Sequence, residues 1–400
     1  MTAGNFEDKV WVSEWNQAPG VRYDRSGKDP VRFYDTTLRD GEQTVGVVLH
    51  PAQKLAIARQ LDALGIDRIE AGFPRVSAED TEAFRQILAA GLRAEVWGFS
   101  RAVRADLEEL ARLGTRATVI EVPSSDIKLR AYGIEAGESV RRAVEAIRFA
   151  KSEGMTVAFF PVDGTRARLE HLRSLYQAAL GEGADELVVV DTIGACGPEA
   201  VGFLVGQVRQ WAGPRVPIHF HGHNDFGLAT ACAIAAVKAG AGWIQGTING
   251  MGERAGNADL GEIALALRCL YRVPVALDLA RIREVSAVVC QAGGYQLEPW
   301  KPVVGRNLFV RESGAVASQF HIPEAIEPFS AELVEARREI VLGKKSGLDS
   351  IRLKAEELGL AVPEAKRAEV LAAVKKRSVE TSGLVSDGEF REIVRRVCAA

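Results

Sequence analysis

Ile218-His219-Phe220-His221-Gly222-His223-Asn224-Asp225 places three of the chain's six histidines at every second position. Apolar Ile218 and Phe220 alternate with them, so the segment reads as a β-strand with its histidines on one face. Neutral imidazoles two residues apart on a strand can converge on one ion, and histidine is the commonest metal ligand. The alternative is a polar strand end whose histidines are only hydrogen-bonded.

A rhythm of short strand and amphipathic helix extends in both directions from this segment. Arg32–Thr36 pairs with Pro51–Leu64, Arg68–Phe73 with Ala78–Leu88, and Glu95–Phe99 with Arg104–Leu113. Ala117–Val122 with Gly137–Ser152, Thr156–Phe160 with Arg168–Leu180, and Leu187–Asp191 with Pro198–Trp211 follow. The histidine strand leads into Gly227–Ala239, and Trp243–Ile248 with Leu260–Leu270 completes eight units. Strands alternating with helices imply a parallel sheet, and eight such units predict a closed (β/α)8 TIM barrel.

The expected organisation is an N-terminal arm (1–30), the barrel (31–275), a linker with a first subdomain (276–345), and a helical second subdomain (346–400). In the last, Leu348–Leu358, Glu364–Arg377 and Asp387–Val397 show helical spacing of apolar residues. A hydrophobic content of 47% with 26% charged residues is that of a globular protein, and the net charge of -3 points to neither nucleic acid nor an anionic membrane. No apolar run reaches bilayer-spanning length. The first residues carry neither a basic nor an apolar leader region, and the five cysteines form no CxxC pair. Both features predict a cytoplasmic protein with reduced thiols.

In such a barrel the functional groups belong at the C-terminal ends of the strands. Strand one runs into Asp35-Thr36-Thr37-Leu38-Arg39-Asp40-Gly41-Glu42-Gln43 and strand six ends in Asp191-Thr192-Ile193-Gly194. Strand eight ends in Thr247-Ile248-Asn249-Gly250-Met251-Gly252-Glu253-Arg254-Ala255-Gly256-Asn257. Two histidines and one carboxylate suit a divalent cation with open positions, and Asp40 is the candidate carboxylate. Arg39 stays protonated and would stabilise negative charge on a substrate oxygen; the alternative is a surface Arg–Asp pair. Asn257 offers a further oxygen to the metal or its surroundings.

These segments resemble the signatures of the DRE-TIM metallolyases, and within them the Claisen-condensing branch of homocitrate, 2-isopropylmalate and citramalate synthases. The resemblance runs from about Val31 onward and includes Glu312-Ser313-Gly314 and Val341-Leu342-Gly343-Lys344-Lys345-Ser346-Gly347. It implies that Asp40, His221 and His223 hold the metal (Mg2+, Mn2+ or Zn2+), with Asn257 beside it. By the same resemblance Arg39 polarises a 2-oxo acid, Gln43 contacts it and Thr192 binds its carboxylate. Acetyl-CoA is the implied co-substrate, a homodimer the implied assembly, and His219 falls outside the ligand pair.

The departures concern the base. The strand-five pattern of such relatives carries a Glu where this chain has Val162, within Phe160-Pro161-Val162-Asp163-Gly164-Thr165-Arg166. Ala315-Val316 stands in place of Ile-His, and Ile326 in place of a Tyr. Asp163 and His321 are the candidates for the vacated role, and a structural Asp or His is the alternative for each.

The leading expectation is a metal-dependent acyltransferase joining acetyl-CoA to a 2-oxo acid. A second reading is a retro-aldol or retro-Claisen lyase, and a third a metal-stabilised binding barrel without turnover. A dicarboxylic substrate would need a cation, with Arg101, Lys128, Arg130 and Arg166 as candidates; an aliphatic one would need an apolar pocket, with Phe73, Phe99 and Val162. The short extension, with no long regulatory domain after it, favours homocitrate-synthase-like chemistry.

Overall fold

The computed structural model describes residues 6–25 and 30–398; parts of the expected arm, residues 1–5 and 26–29, lie outside the described residues. Eight parallel strands close into a barrel in chain order: β1 (Arg32–Asp35), β2 (Arg68–Glu70), β3 (Glu95–Arg101), β4 (Ala117–Pro123), β5 (Thr156–Val162), β6 (Glu186–Asp191), β7 (Ile218–Gly222) and β8 (Trp243–Gly246). β8 pairs back onto β1, Phe33 opposite Ile244, so the sheet has no open edge. The TIM barrel expected from the strand–helix rhythm is the fold.

Helices wrap the strands: α1 (Pro51–Leu64), α2 (Ala78–Leu88), α3 (Arg104–Arg112), α4 (Asp126–Tyr132), α5 (Ala136–Ser152), α6 (Leu169–Gly181), α7 (Pro198–Ala212), α8 (Ala229–Ala239), α9 (Leu260–Cys269) and α10 (Ile282–Gly293). Their ends follow local chemistry. Ser77 caps α2 by accepting from the Asp80 N–H at 3.0 Å, and Asp259 caps α9 by accepting from Gly261 and Glu262. The short α4 was not foreseen; Ser125 caps it, accepting from the Lys128 N–H at 3.1 Å.

Every second residue of a barrel strand points inward. Tyr34, Trp97, Phe99, Val119, Ala158, Phe160, Val188, Val190 and Trp243 fill the interior. Beneath them lies a buried charge cluster. The Arg68 guanidinium sits between the Trp97 and Trp243 rings, 4.3 and 3.7 Å from their centroids, and donates to both Glu186 oxygens at 2.6 and 3.0 Å. His219 Nε2 meets Glu186 at 2.7 Å while its ring stacks on Trp243, so this histidine belongs to the barrel floor. Ions so deep are tolerable because each is paired.

Glu14–Leu297 form one compact unit, which holds the barrel and runs past the loss of rhythm at Val273 to include α10. Of the described residues, 6–13 join 298–398 in a second unit. That unit contains a two-stranded parallel sheet of β9 (Val310–Arg311) and β10 (Glu339–Ile340). It also contains the helices α11 (Gly314–Ala317), α12 (Leu348–Glu357), α13 (Arg367–Thr381) and α14 (Asp387–Cys398). Ile351, Val370, Val374, Phe390 and Val394 form its core. Its two motif segments interlock: Glu312 accepts from the Lys345 N–H at 2.9 Å, and Gly314 donates to the Lys345 carbonyl at 3.0 Å. Among the described residues no helix is long and apolar enough to cross a membrane, and no disulfide joins the cysteines.

Candidate metal centre and its cavity

The loop after β1 is folded back by its own first residues. Buried Asp35 accepts from the Thr37 N–H and hydroxyl, both at 2.8 Å, and the Thr37 oxygen accepts from the Ile248 N–H at 2.9 Å. This ties the loop to the strand-eight end and aims Asp40 at β7. Asp40 Oδ2 lies 3.2 Å from His221 Nε2 and 3.6 Å from His223 Nε2. One ligand atom from each of the three residues falls within 4.8 Å of the others, and all three residues are buried.

Burial works to raise the Asp40 pKa, but Arg39, His221 and His223 outweigh it and hold the carboxyl well below the usual range. Burial pushes the His223 imidazole down to about 4 despite Asp40 beside it. An ionised carboxylate and a neutral imidazole are what a divalent cation binds. Asn257 adjoins them through a backbone bridge to His223 and donates to the Met251 carbonyl at 3.2 Å. Its Oδ1 is buried without a hydrogen-bond partner, as are both histidine Nδ1 atoms. Buried polar atoms are rarely left so, and a donor set with an oxygen to spare fits a bound ion.

Two glycines hold this geometry. Gly194 has φ +58, and a Cβ there would lie 2.6 Å from the His223 carbonyl oxygen. Gly256 has φ +86, and a Cβ there would overlap the Gly250 carbonyl.

Arg39 lies against the centre. Its Nε donates to Glu70, which also accepts from the Tyr34 hydroxyl at 2.9 Å, and its guanidinium covers the Phe99 ring at 4.0 Å. One Nη1 lies 3.5 Å from Asp40, while Nη2 is buried without a partner. A clamped cation with an unused N–H is ready to meet a developing negative charge.

A cavity of about 560 Å³ opens over the centre. Arg39, Asp40, Gln43, Thr192, His221 and His223 line it, together with Phe73, Val76, Phe99, Phe160 and Val162. Thr192 Oγ1 accepts from the Asp163 N–H at 2.7 Å. Six residues from the loop after β1, the end of β6 and the end of β7 are thus brought together as expected. Others are not. Asp163 is buried outside the cavity lining; Arg166 takes both its oxygens, at 2.8 and 2.7 Å, and Ser125 donates to one of them. Arg166 is committed to that pair, and His321 lies exposed in the second unit. Of the four candidate cations only Lys128 lines the cavity; Arg101 is bound to Asp106 at 2.8 and 3.0 Å.

Two acids went unread in the sequence. Glu70 and Glu121 are carboxylates on β2 and β4, in phase with Arg68 and Val119 two residues before them. That phase was the only signal available.

The family model described as HMGL-like matches residues 30–289. The chain belongs to the HMGL-like family. This is the DRE-TIM family, and the matched span takes in every residue of the metal centre and its cavity. Full-length relatives extend the likeness into the second unit. Homocitrate synthase AksA of Methanothermobacter thermautotrophicus is 36% identical over 97% of this chain and 98% of its own length. A probable 2-isopropylmalate synthase of Ignicoccus hospitalis is 40% identical over 92% of each. A putative (R)-citramalate synthase, CimA, of Methanopyrus kandleri is 39% identical over 94% of this chain and 74% of its own. Among solved structures, hydroxymethylglutaryl-CoA lyase from Pseudomonas aeruginosa matches with a TM-score of 0.60 at 18% identity, covering 67% of this chain and 94% of the other, which shows a shared fold. This HMGL-like chain is therefore a homologue of 2-oxo-acid-condensing synthases.

Proposed function

We propose that the protein is a metal-dependent acyltransferase that joins the acetyl group of acetyl-CoA to the keto carbon of a 2-oxo acid, releasing CoA. The observation that carries this reading is the Asp40–His221–His223 group beside the partnerless Nη2 of Arg39, in a chain homologous to condensing synthases. Asp40, His221 and His223, with Asn257 adjacent, would hold Mg2+, Mn2+ or Zn2+, which when bound supplies Lewis-acid polarisation of the keto group. Arg39 neutralises charge growing on the keto oxygen, and Glu70 fixes the guanidinium plane so that little reorganisation is needed. The Thr192 hydroxyl and Gln43 orient the substrate carboxylate.

The cavity wall bears on which of the two expected substrate types is favoured. Phe73, Phe99, Phe160 and Val162 line it, with Lys128 as the one candidate cation among them, whereas Arg101, Arg130 and Arg166 do not. This favours a short aliphatic 2-oxo acid, as in citramalate or isopropylmalate synthesis, over the dicarboxylic acid of homocitrate synthesis. Val162, in place of the strand-five Glu, favours the second reading, a retro-Claisen lyase on the corresponding hydroxy acid.

Purified protein given acetyl-CoA, Mn2+ and a panel of 2-oxo acids tests the proposal. Free thiol is expected with pyruvate or a branched 2-oxo acid, and not with 2-oxoglutarate. Silence across the panel, with cleavage of a 2-hydroxy acid instead, would install the lyase.

A further inference from the structure

With Asp163 sealed by Arg166 and Val162 inert, the proposed condensation lacks a proton acceptor. We propose that Glu121, on β4, is the base that takes the proton from the acetyl methyl group, an assignment that rests on the acyltransferase reading. Glu121 shares the inward phase of Ala117 and Val119, and its carboxylate lines the cavity over the metal centre.

Its place in the sheet sets what it can reach. Glu121 pairs in register with Arg101 on one side and Phe160 on the other. Phe160 packs edge-on against His221, with centroids 5.1 Å apart, and against Phe99 at 5.9 Å; Arg39 covers Phe99. Glu121, Arg39 and the metal centre therefore border one aromatic shelf. A methyl group on that shelf meets the acid from one side and the polarised keto carbon from the other.

Elimination points the same way. The other carboxylates lining the cavity are engaged. Glu42 and Asp80 each lie 2.5 Å from Lys54, Glu253 faces Arg254 at 3.5 Å, and Asp40 belongs to the metal centre. Among the described residues the Glu121 carboxylate makes no hydrogen bond or ion pair. Burial raises its pKa to about 7. Arg39, Arg101 and Lys128 oppose the rise, Asp106 adds to it, and Tyr132 on α4 is the other titratable group facing it. A base in that range is suited to proton abstraction near neutral pH.

The step balances. The carboxylate takes the methyl proton, and the C–H pair becomes the enolate double bond. The enolate carbon then bonds to the keto carbon, whose π pair moves to the oxygen beside Arg39. Glu121-H returns its proton to that oxygen, and water hydrolyses the thioester to release CoA thiol.

The test compares wild type with E121Q, E121D and E121A, using thiol release from acetyl-CoA and from its trideuteromethyl form. E121Q is expected to lose roughly 10²–10⁴-fold in kcat with both KM values little changed. The acid limb of the kcat/KM profile near pH 7 should vanish, and the deuterium isotope effect should rise. Formate should restore part of the E121A rate, and E121D should fall between. Melting temperature and Mn2+ affinity show whether each variant is folded, and formate rescue reads the base even if E121Q is destabilised. If E121Q keeps kcat within about threefold, or if only the KM for the 2-oxo acid moves, Glu121 is a substrate-contacting wall residue and the assignment falls alone. No thiol release by the wild type overturns the acyltransferase reading and this assignment with it.

Discussion

Among single residues, Arg39 is held so that one N–H stays free for substrate. Its Nε is committed to Glu70 and its face to Phe99, which leaves Nη2 for the substrate. Arg39→Lys keeps a positive charge but cannot make this fork, because an ammonium is a compact point donor. We predict that R39K lowers kcat by roughly 10²-fold, read in the thiol-release assay, with Mn2+ affinity within a few-fold of wild type. An unchanged kcat would mean that the free N–H plays no part. The candidate metal ligands were legible in the sequence because alternating histidines share one face of a strand, although one of the three, His219, is hydrogen-bonded to Glu186 in the barrel floor. Glu70 and Glu121 were not, since a single acid on a strand announces nothing until its neighbours are placed. Asp163 stayed open between a base and a structural acid for the converse reason: Arg166, three residues on, closes over it, and a sequence does not reveal that such a pair is sealed.

At the scale of elements, strand order and helix placement followed from periodicity, while the ends did not. β3, β4 and β5 each run a residue or two beyond the expected stop, to Arg101, Pro123 and Val162, because strand pairing continues past the apolar run. Two predictions belong here. Gly194→Ala forces a side chain toward the His223 carbonyl at positive φ, and should cost at least about 1 kcal/mol in urea unfolding while weakening Mn2+ binding. Glu186 concerns the barrel floor. Burial would raise its pKa, but His219 and Arg68 draw it down to about 2. Its stabilising contribution is therefore present above its ordinary value of 4.5 and disappears as pH falls toward 2. Glu186→Gln should cost roughly 1–3 kcal/mol at pH 7, since Arg68 loses its bond to the Glu186 carboxylate and keeps only Glu95 at 2.8 Å, and should flatten the dependence of stability on pH between about 5 and 2. A variant with wild-type stability at pH 7 would contradict the role assigned to the cluster.

On the scale of the whole molecule, the barrel and its second unit are shared with synthases that the chain matches over nearly all its length. The cavity wall joins Phe73, Phe99, Phe160 and Val162 to Lys128 and Glu121. Substrate preference could not be read from the sequence, because it depends on which of several cations the loops turn toward the cavity. Arg101 and Arg166 turn to their own acids, while Lys128 lines the cavity. We also predict a homodimer, seen by light scattering as twice the chain's mass; a monomer at micromolar concentration would exclude it. We predict that Asp40, His221 and His223 grip a single divalent cation. The most direct test is calorimetric titration of chelator-treated protein with Mn2+. One site per chain is predicted for wild type and none for His221→Ala or Asp40→Asn, each still folded by circular dichroism. Absence of binding by wild type, or undiminished binding by both variants, would contradict it.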